Sequence, residues 1–215
     1  MKDFNRRVAV ITGAASGIGR ALAERCAREG MKVILADVEP GALAEVEAHL
    51  QASGGTALAV RADVSQAKDV AALAEKTIEA FGAVHLLCNN AGVATSGTVW
   101  ESSLTDWEWV IGVNLWGVIH GLRTFVPIML AQDTECHIVN TGSLSGLISF
   151  PRGSVYAVTK HGVVTLSESL HHELAGRGGK VKVSVLCPGL VKTRIVDCAR
   201  NRPERLAATA PMGPV

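Results

Sequence analysis

Six short runs rich in Val, Ile, Leu and Ala recur along this chain, separated by longer amphipathic stretches. That alternation constrains the fold more than any other feature. The runs are Val8 to Thr12, Lys32 to Ala36, Ala57 to Val60, Val84 to Cys88, His137 to Asn140 and Val181 to Leu186. Each has strand length and is nearly continuous in apolar residues, as strands buried on both faces of a parallel sheet are. Between them, Gly17 to Glu29, Gly41 to Ala52, Ala67 to Phe81, Thr105 to Ala131 and Ser154 to Ala175 read as helices. Leu43, Val46 and Leu50 follow helical spacing. Ser65 and Thr105 stand where the third and fourth helices need caps. Thr105-Asp106-Trp107-Glu108 has capping-box form, and Gly54-Gly55 and Gly178-Gly179 close their helices. The whole pattern predicts an α/β domain: a doubly wound parallel sheet of Rossmann type, three layers, with right-handed crossovers. A single domain is expected over residues 1–200, with the Pro-, Ala- and Arg-rich 201–215 as a loop-like tail.

Composition removes several function classes. With 48% hydrophobic and 19% charged residues, a 215-residue chain can close a sizeable core. Lys and Arg number 21 against 20 Asp and Glu, so the basic surplus of a nucleic-acid binder is missing. Mean hydropathy is +0.26, yet no stretch of about 18 uncharged apolar residues occurs, and no membrane association is expected. The start, Met1 to Arg7, has no apolar signal core. Five dispersed cysteines without a C-x-x-C pair argue against a disulfide framework or zinc site and fit a cytoplasmic location.

Thr12-Gly13-Ala14-Ala15-Ser16-Gly17-Ile18-Gly19 follows the first strand directly. A pyrophosphate needs bare backbone N–H groups at a helix N-terminus, and side chains there would hold it away. The spacing G-x-x-x-G-x-G differs from the G-x-G-x-x-G dinucleotide pattern, but strand and helix flank it as a nucleotide site requires. Asp37 ends the second strand. A carboxylate there accepts hydrogen bonds from both adenosine ribose hydroxyls and repels a 2′-phosphate, favouring NAD over NADP.

Tyr156-Ala157-Val158-Thr159-Lys160 places a phenol and an ammonium one turn apart on the same helix face. Ser143 follows the fifth strand, at the carboxyl edge where such sheets bind ligands. Lowering a phenol from a pKa of about 10 to about 7 takes roughly 4 kcal/mol. A nearby ammonium and a cationic nicotinamide can supply that.

Taken together, TGAASGIG, Asp37, Asp63-Val64, NNAG from Asn89 to Gly92, Asn114 in VNLWG, Ser143, YAVTK and PGLVKT resemble the short-chain dehydrogenase/reductase family, over nearly the whole chain and in the family's order. The resemblance implies a tetrad. Tyr156 would be general acid/base, and Ser143 would orient the substrate oxygen. Lys160 would lower the Tyr156 pKa and bind the nicotinamide ribose, while Asn114 would hold a water joining Lys160 to solvent. It also implies a cofactor site formed by Gly13, Ser16, Gly17, Ile18, Gly19 and Asp37, with Asp63 and Val64 at adenine. Asn90, Ala91 and Gly92 would lie along the adenosine ribose, and Pro188, Gly189, Val191 and Thr193 at the nicotinamide side. Asn89 and Asn90 could instead be turn formers. No metal is needed. The implied activity is hydride transfer between NAD, with NADP less favoured, and a secondary alcohol or ketone. The alternatives are an NAD(P)-sensing interaction protein without catalysis, or an epimerase or dehydratase.

Family members usually continue several tens of residues beyond Thr193, with a seventh strand; no run after Ile195-Val196 resembles one, so the chain is expected to lack much of the substrate lid. The tryptophans between Trp100 and Trp116 are either an aromatic wall or interface, or packing beneath their helix. His171-His172 read as surface residues, and Cys88 and Cys187 as small core side chains. In the resembled family the two long helices that here carry Asn114 and Tyr156 build a dimer interface, often repeated into tetramers, so the resemblance implies a homodimer or homotetramer.

Overall fold

The computed structural model describes residues 3–207. The apolar runs become β1 (Val8–Thr12), β2 (Lys32–Asp37), β3 (Thr56–Arg61), β4 (Leu86–Asn89), β5 (Cys136–Thr141) and β6 (Val181–Leu186). They pair in parallel in the order β3-β2-β1-β4-β5-β6. The helices are α1 (Gly17–Arg28), α2 (Pro40–Ala52), α3 (Ala67–Phe81), α4 (Leu104–Ile111), α5 (Gly117–Ala131) and α6 (Ser154–Ala175). Because side chains alternate along a strand, each inner strand feeds two cores. Val10, Ile34 and Leu87 pack with Leu73, Phe125 and Leu170 from α3, α5 and α6. Ala9, Ile11 and Leu35 pack with Ala23, Leu43 and Val46 from α1 and α2 on the other face. This is the expected three-layer doubly wound domain. Strand order reverses between β1 and β4, which opens a crevice at their carboxyl ends.

Several local expectations are corrected. The fourth strand starts at Leu86, not Val84. Gln132 takes both backbone groups of Val84, accepting from its N–H at 2.7 Å and donating to its carbonyl at 2.7 Å. Burial on both faces fails at the sheet edges: Lys182, Ser184 and Leu186 of β6 are exposed, as are Thr56 and Arg61 of β3. Cys187 lies just past β6 and is half-buried, not a core residue. The cap of α4 is Ser103, two residues before Thr105. Its hydroxyl accepts from the Asp106 N–H while the Asp106 carboxylate accepts from the Ser103 N–H. Ser65 does not cap α3, because its hydroxyl donates to Asp63 at 2.7 Å and Gln66 holds the cap position.

The stretch expected as a single helix, Thr105 to Ala131, is a continuous rod interrupted by a π turn at Gly112–Trp116. By length and composition alone the rod Leu104–Ala131 could cross a bilayer. Here Phe125 and Met129, fully buried, place its apolar side in the domain core. Among the described residues no strand follows β6. Of the expected loop-like tail, residues 201–207 instead pack on the domain: Glu204–Leu206 is a 3₁₀ turn, and Leu206 is buried against Val93 and Trp109. Residues 208–215 lie outside the described residues.

Candidate active site

The crevice at the reversal of strand order is stitched by one hydroxyl. Thr12 Oγ1 accepts from the Asn90 N–H at 2.9 Å and the Ala91 N–H at 3.1 Å, and the Asn90 side chain donates to the Thr12 carbonyl at 3.0 Å. The glycine turn sits directly against this stitch. Gly13 has φ +67°, and a Cβ on Gly19 would stand 2.1 Å from the Gly13 carbonyl oxygen and 2.6 Å from Asn90 Nδ2. Such contacts exclude any side chain at Gly19. Ser16, in extended conformation, caps α1 without a side-chain hydrogen bond, so the first-turn N–H groups keep their capacity for an anion.

Asp37 closes the far end of the turn. Its carboxylate accepts from the N–H groups of Ala15 (3.0 Å), Val38 (2.7 Å) and Glu39 (3.2 Å). Burial still pushes its pKa upward, and these bonds only counter that. Asp63 is engaged locally, accepting from the Ser65 N–H at 3.0 Å. His120 Nδ1 lies 3.0 Å from the Val64 carbonyl oxygen.

On the other side of the crevice, β5 delivers Ser143 and α6 delivers Tyr156 and Lys160. Ser143 Oγ accepts from the Ser145 N–H at 3.1 Å, which orients the hydroxyl at the start of a short 3₁₀ turn. Burial raises the Tyr156 phenol above its ordinary value, partly countered by a hydrogen bond with the Ser143 side chain. Lys160 is 3% exposed and donates to the Thr141 carbonyl at 2.8 Å. Burial lowers its pKa to about 8, and its ammonium lies 5.5 Å from the Tyr156 ring centre.

Asn114 emerges from the π turn, fully buried. Its Oδ1 accepts from the Val93 N–H at 2.8 Å, and its Nδ2 donates to the Val93 carbonyl at 2.9 Å and to Thr159 Oγ1 at 3.2 Å. The side chain is therefore committed to fixing the Val93 segment; a water beside Lys160 could use only the one lone pair left on Oδ1. The two groups are neighbours nonetheless: a Cβ on Gly92 would stand 3.5 Å from Asn114 Oδ1 and 3.6 Å from Lys160 Nζ.

A single cleft of about 660 Å³ joins these elements, within the range of small-molecule sites. Every site residue expected from the sequence lines it except Gly19 and Asn114, which stand behind its wall. The bare glycine turn, the open helix N-terminus and the Asp37 carboxylate are groups that suit a nucleotide, and Ser143, Tyr156 and Lys160 line the same cleft. Trp107, Trp109 and Trp116 line the cleft, whereas Trp100 is 80% exposed. His171 and His172 are both at the surface. Among the described residues no three His, Cys, Asp or Glu side chains gather as a metal-ligand set.

Beyond Thr193, the segment from Arg194 to Ala207, none of whose residues was expected in the site from the sequence, runs along the cleft as a strap. At the end next to Asp37, Arg200 pairs with Glu39 at 2.6 Å and Asn201 donates to the same carboxylate at 2.9 Å. The Arg200 bond holds Glu39 below the usual carboxylate range. At the other end, Arg202 pairs with Asp106 at 2.6 Å and lies over the Trp109 ring at 5.2 Å, while Arg205 pairs with Glu108 at 2.7 Å. Cys198, the buried residue of the strap, accepts from the Ala94 N–H and donates to the Ala94 carbonyl.

Comparison with known proteins agrees with this geometry. The profile of the family described as short chain dehydrogenase matches residues 7–204. The chain is 41% identical over 201 residues to the putative oxidoreductase SadH of Mycobacterium tuberculosis, covering 94% of this chain and 71% of that protein. It is 41% identical over 195 residues to 1-deoxy-11-beta-hydroxypentalenate dehydrogenase of Streptomyces arenae, covering 89% and 69%. A crystal structure of a short chain dehydrogenase/reductase from Burkholderia phymatum in complex with NAD superposes with TM-score 0.97 at 53% identity, covering 99% of this chain and 76% of that one.

Proposed function

The chain belongs to the short-chain dehydrogenase family, and from that premise we propose that it moves a hydride between NAD and a secondary alcohol or its ketone, with Tyr156 as general acid/base. The observation that carries this reading is the meeting of Ser143, Tyr156 and Lys160 in the same cleft as the glycine turn and Asp37. Bound NAD would supply the hydride acceptor, and its reduced form the donor, at the nicotinamide ring. Tyr156 takes the alcohol proton as the hydride leaves and returns it in the reverse direction. Ser143 hydrogen-bonds the substrate oxygen and steadies the charge that develops there. Lys160 favours the phenolate, and Asn114 fixes the backbone beside both. The test is an absorbance change at the reduced-nicotinamide band across a panel of secondary alcohols and ketones. NAD binding with no turnover on any member of such a panel rejects the reading in favour of a nucleotide-sensing protein.

Tyr156 is the single tyrosine among the 215 residues, so tyrosinate absorbance reports it alone. With no cofactor bound, burial keeps the phenol above its ordinary value, while Lys160, at about 8, loses its charge first. The tyrosinate midpoint is therefore expected above pH 10 without cofactor, and at least one unit lower with saturating NAD⁺. Oxidation needs the phenolate, so its kcat/KM rises with pH through that lowered midpoint; reduction needs the phenol and falls through it. In Lys160→Met the midpoint stays high. Equal midpoints with and without NAD⁺ would remove Tyr156 as the base.

Asp37 supports the preference for NAD, since a 2′-phosphate would meet a carboxylate already fixed by three N–H groups. NAD is expected to exceed NADP at least tenfold in kcat/KM, about 1.4 kcal/mol. Asp37→Ala should shrink that ratio; an unchanged ratio would show that Asp37 does not select the cofactor. Trp116 and Val158, each about half exposed at 50% and 51% on the two long helical rods, support pairing of two copies through these faces.

A further inference from the structure

Glu39 stands at the N-cap of α2, yet its side chain makes no cap hydrogen bond. It turns instead to the strap, where Arg200 offers it two donors: Nη2 lies 2.6 Å from Oε1 and Nε 3.3 Å from Oε2. Asn201 donates to Oε1 at 2.9 Å, and the Arg194 guanidinium lies 4.0 Å from Oε2. The third nitrogen of Arg200, Nη1, donates to the strap carbonyls of Asp197 at 2.8 Å and Arg194 at 3.2 Å. The guanidinium is therefore aimed by its own segment, and its heading does not depend on Glu39 alone. A planar fork held in this way matches a phosphate as well as a carboxylate. Two arginines and an amide gathered on one acid amount to an anion site already filled from within.

This cluster adjoins the acid assigned to the ribose. The Glu39 N–H donates to Asp37 Oδ1 at 3.2 Å, and Asp37, Glu39, Arg194, Arg200 and Asn201 all line the same cleft. Glu39 foremost, with Asp197 and Asp37 behind it, holds the Arg200 pKa above its ordinary value, so Arg200 feels the Asp37 charge as well. The Arg200 and Glu39 side chains are only 25% and 21% exposed, which leaves the pair less screened than one in open water. A phosphate on the ribose 2′ position would bring a charge of about −1.5 to −2 to this corner.

Resting on the assignment of Asp37 to the adenosine ribose, we propose that Glu39 is a second specificity-determining residue for the cofactor: it occupies the Arg200 fork and so withholds from NADP the cations that its 2′-phosphate would bind. Asp37 acts by direct repulsion. Glu39 acts by keeping Arg200 and Arg194 engaged. Loss of the Asp37 charge only ends a repulsion, whereas loss of the Glu39 charge also releases a fork of fixed orientation. Part of the preference for NAD is thus held by the strap, 161 positions along the chain from Glu39.

Calorimetry with AMP and adenosine 2′,5′-bisphosphate isolates the 2′-phosphate without any turnover. In Glu39→Gln the affinity for the bisphosphate relative to AMP is expected to rise at least tenfold over the unaltered protein, about 1.4 kcal/mol, and the gain should shrink as salt is added. Arg200→Gln, which leaves Glu39 without its fork, should move the ratio the opposite way. The two substitutions together should lose most of the gain. A strap merely loosened by these changes would weaken both nucleotides alike and leave the ratio where it was. An unchanged ratio in Glu39→Gln, or a gain that persists when Arg200 is also replaced, overturns the proposal and leaves the nucleotide site standing. Binding of neither nucleotide by the unaltered protein overturns both.

Discussion

Tyr156→Phe is expected to lower kcat/KM by about 10²–10⁴-fold, the range supplied by a positioned general acid/base, while NADH binds within about twofold of the unaltered protein. The substitution removes one oxygen and keeps the ring that lies 5.5 Å from the Lys160 ammonium, so the cleft wall is preserved. It leaves Ser143 and Lys160 in place, and the residual rate measures what those two contribute without proton transfer. The check is single-turnover absorbance at the reduced-nicotinamide band, with NADH affinity from fluorescence. Turnover within a factor of ten of the unaltered protein would place the proton elsewhere. Loss of NADH binding would make the defect one of structure.

Gly19→Ala should be the most damaging substitution in the nucleotide half. The new Cβ would stand 2.1 Å from the Gly13 carbonyl oxygen, and the obstacle is backbone, which cannot swing aside. Gly13 itself is held at φ +67°, with Ala91 Cα only 2.8 Å from where its own Cβ would be, so the turn cannot retreat toward β4. Overpacking of this kind costs about 1–3 kcal/mol, and for a domain of this size each kcal/mol is worth roughly 2–4 °C in Tm. NAD affinity should fall at least 100-fold, about 2.7 kcal/mol, because the displaced N–H groups are those that would hold the diphosphate. Gly41→Ala, with nothing within 4 Å of its Cβ, is the control and should leave both properties unchanged. Were the two variants to behave alike, the turn would have no part in binding.

The sequence made legible whatever is local or periodic. Two-faced apolar runs mark β1, β2 and β4 because these central strands have helices packed over both faces of the sheet. The same rule misjudged β6, whose exposed Lys182, Ser184 and Leu186 follow from its place at the edge. Tyr156 and Lys160 could be set on one face because helical spacing alone does it. Gln132 at Val84, Thr12 between Asn90 and Ala91, and Arg200 at Glu39 were out of reach. Each joins residues 48, 78 to 79 or 161 positions apart through two or three polar contacts, which leave no period in the sequence. The cap at Ser103 was missed by two positions because Ser103 and Thr105 are both good caps, and only the true start of the helix decides between them.

The π turn at Gly112–Trp116 gives the long rod one residue more than ordinary winding would use. Beyond it, Gly117 and Gly121 are seated so closely on Val64 and Asn89 that Cβ atoms there would stand 2.7 and 2.2 Å away. Taking out a single residue within the turn would return the rod to regular pitch and leave the phase of those two glycines intact. The rod thus has slack in length at the point where Asn114 sits, and a one-residue deletion there would uncouple the amide from Val93 without unseating the rod from the sheet.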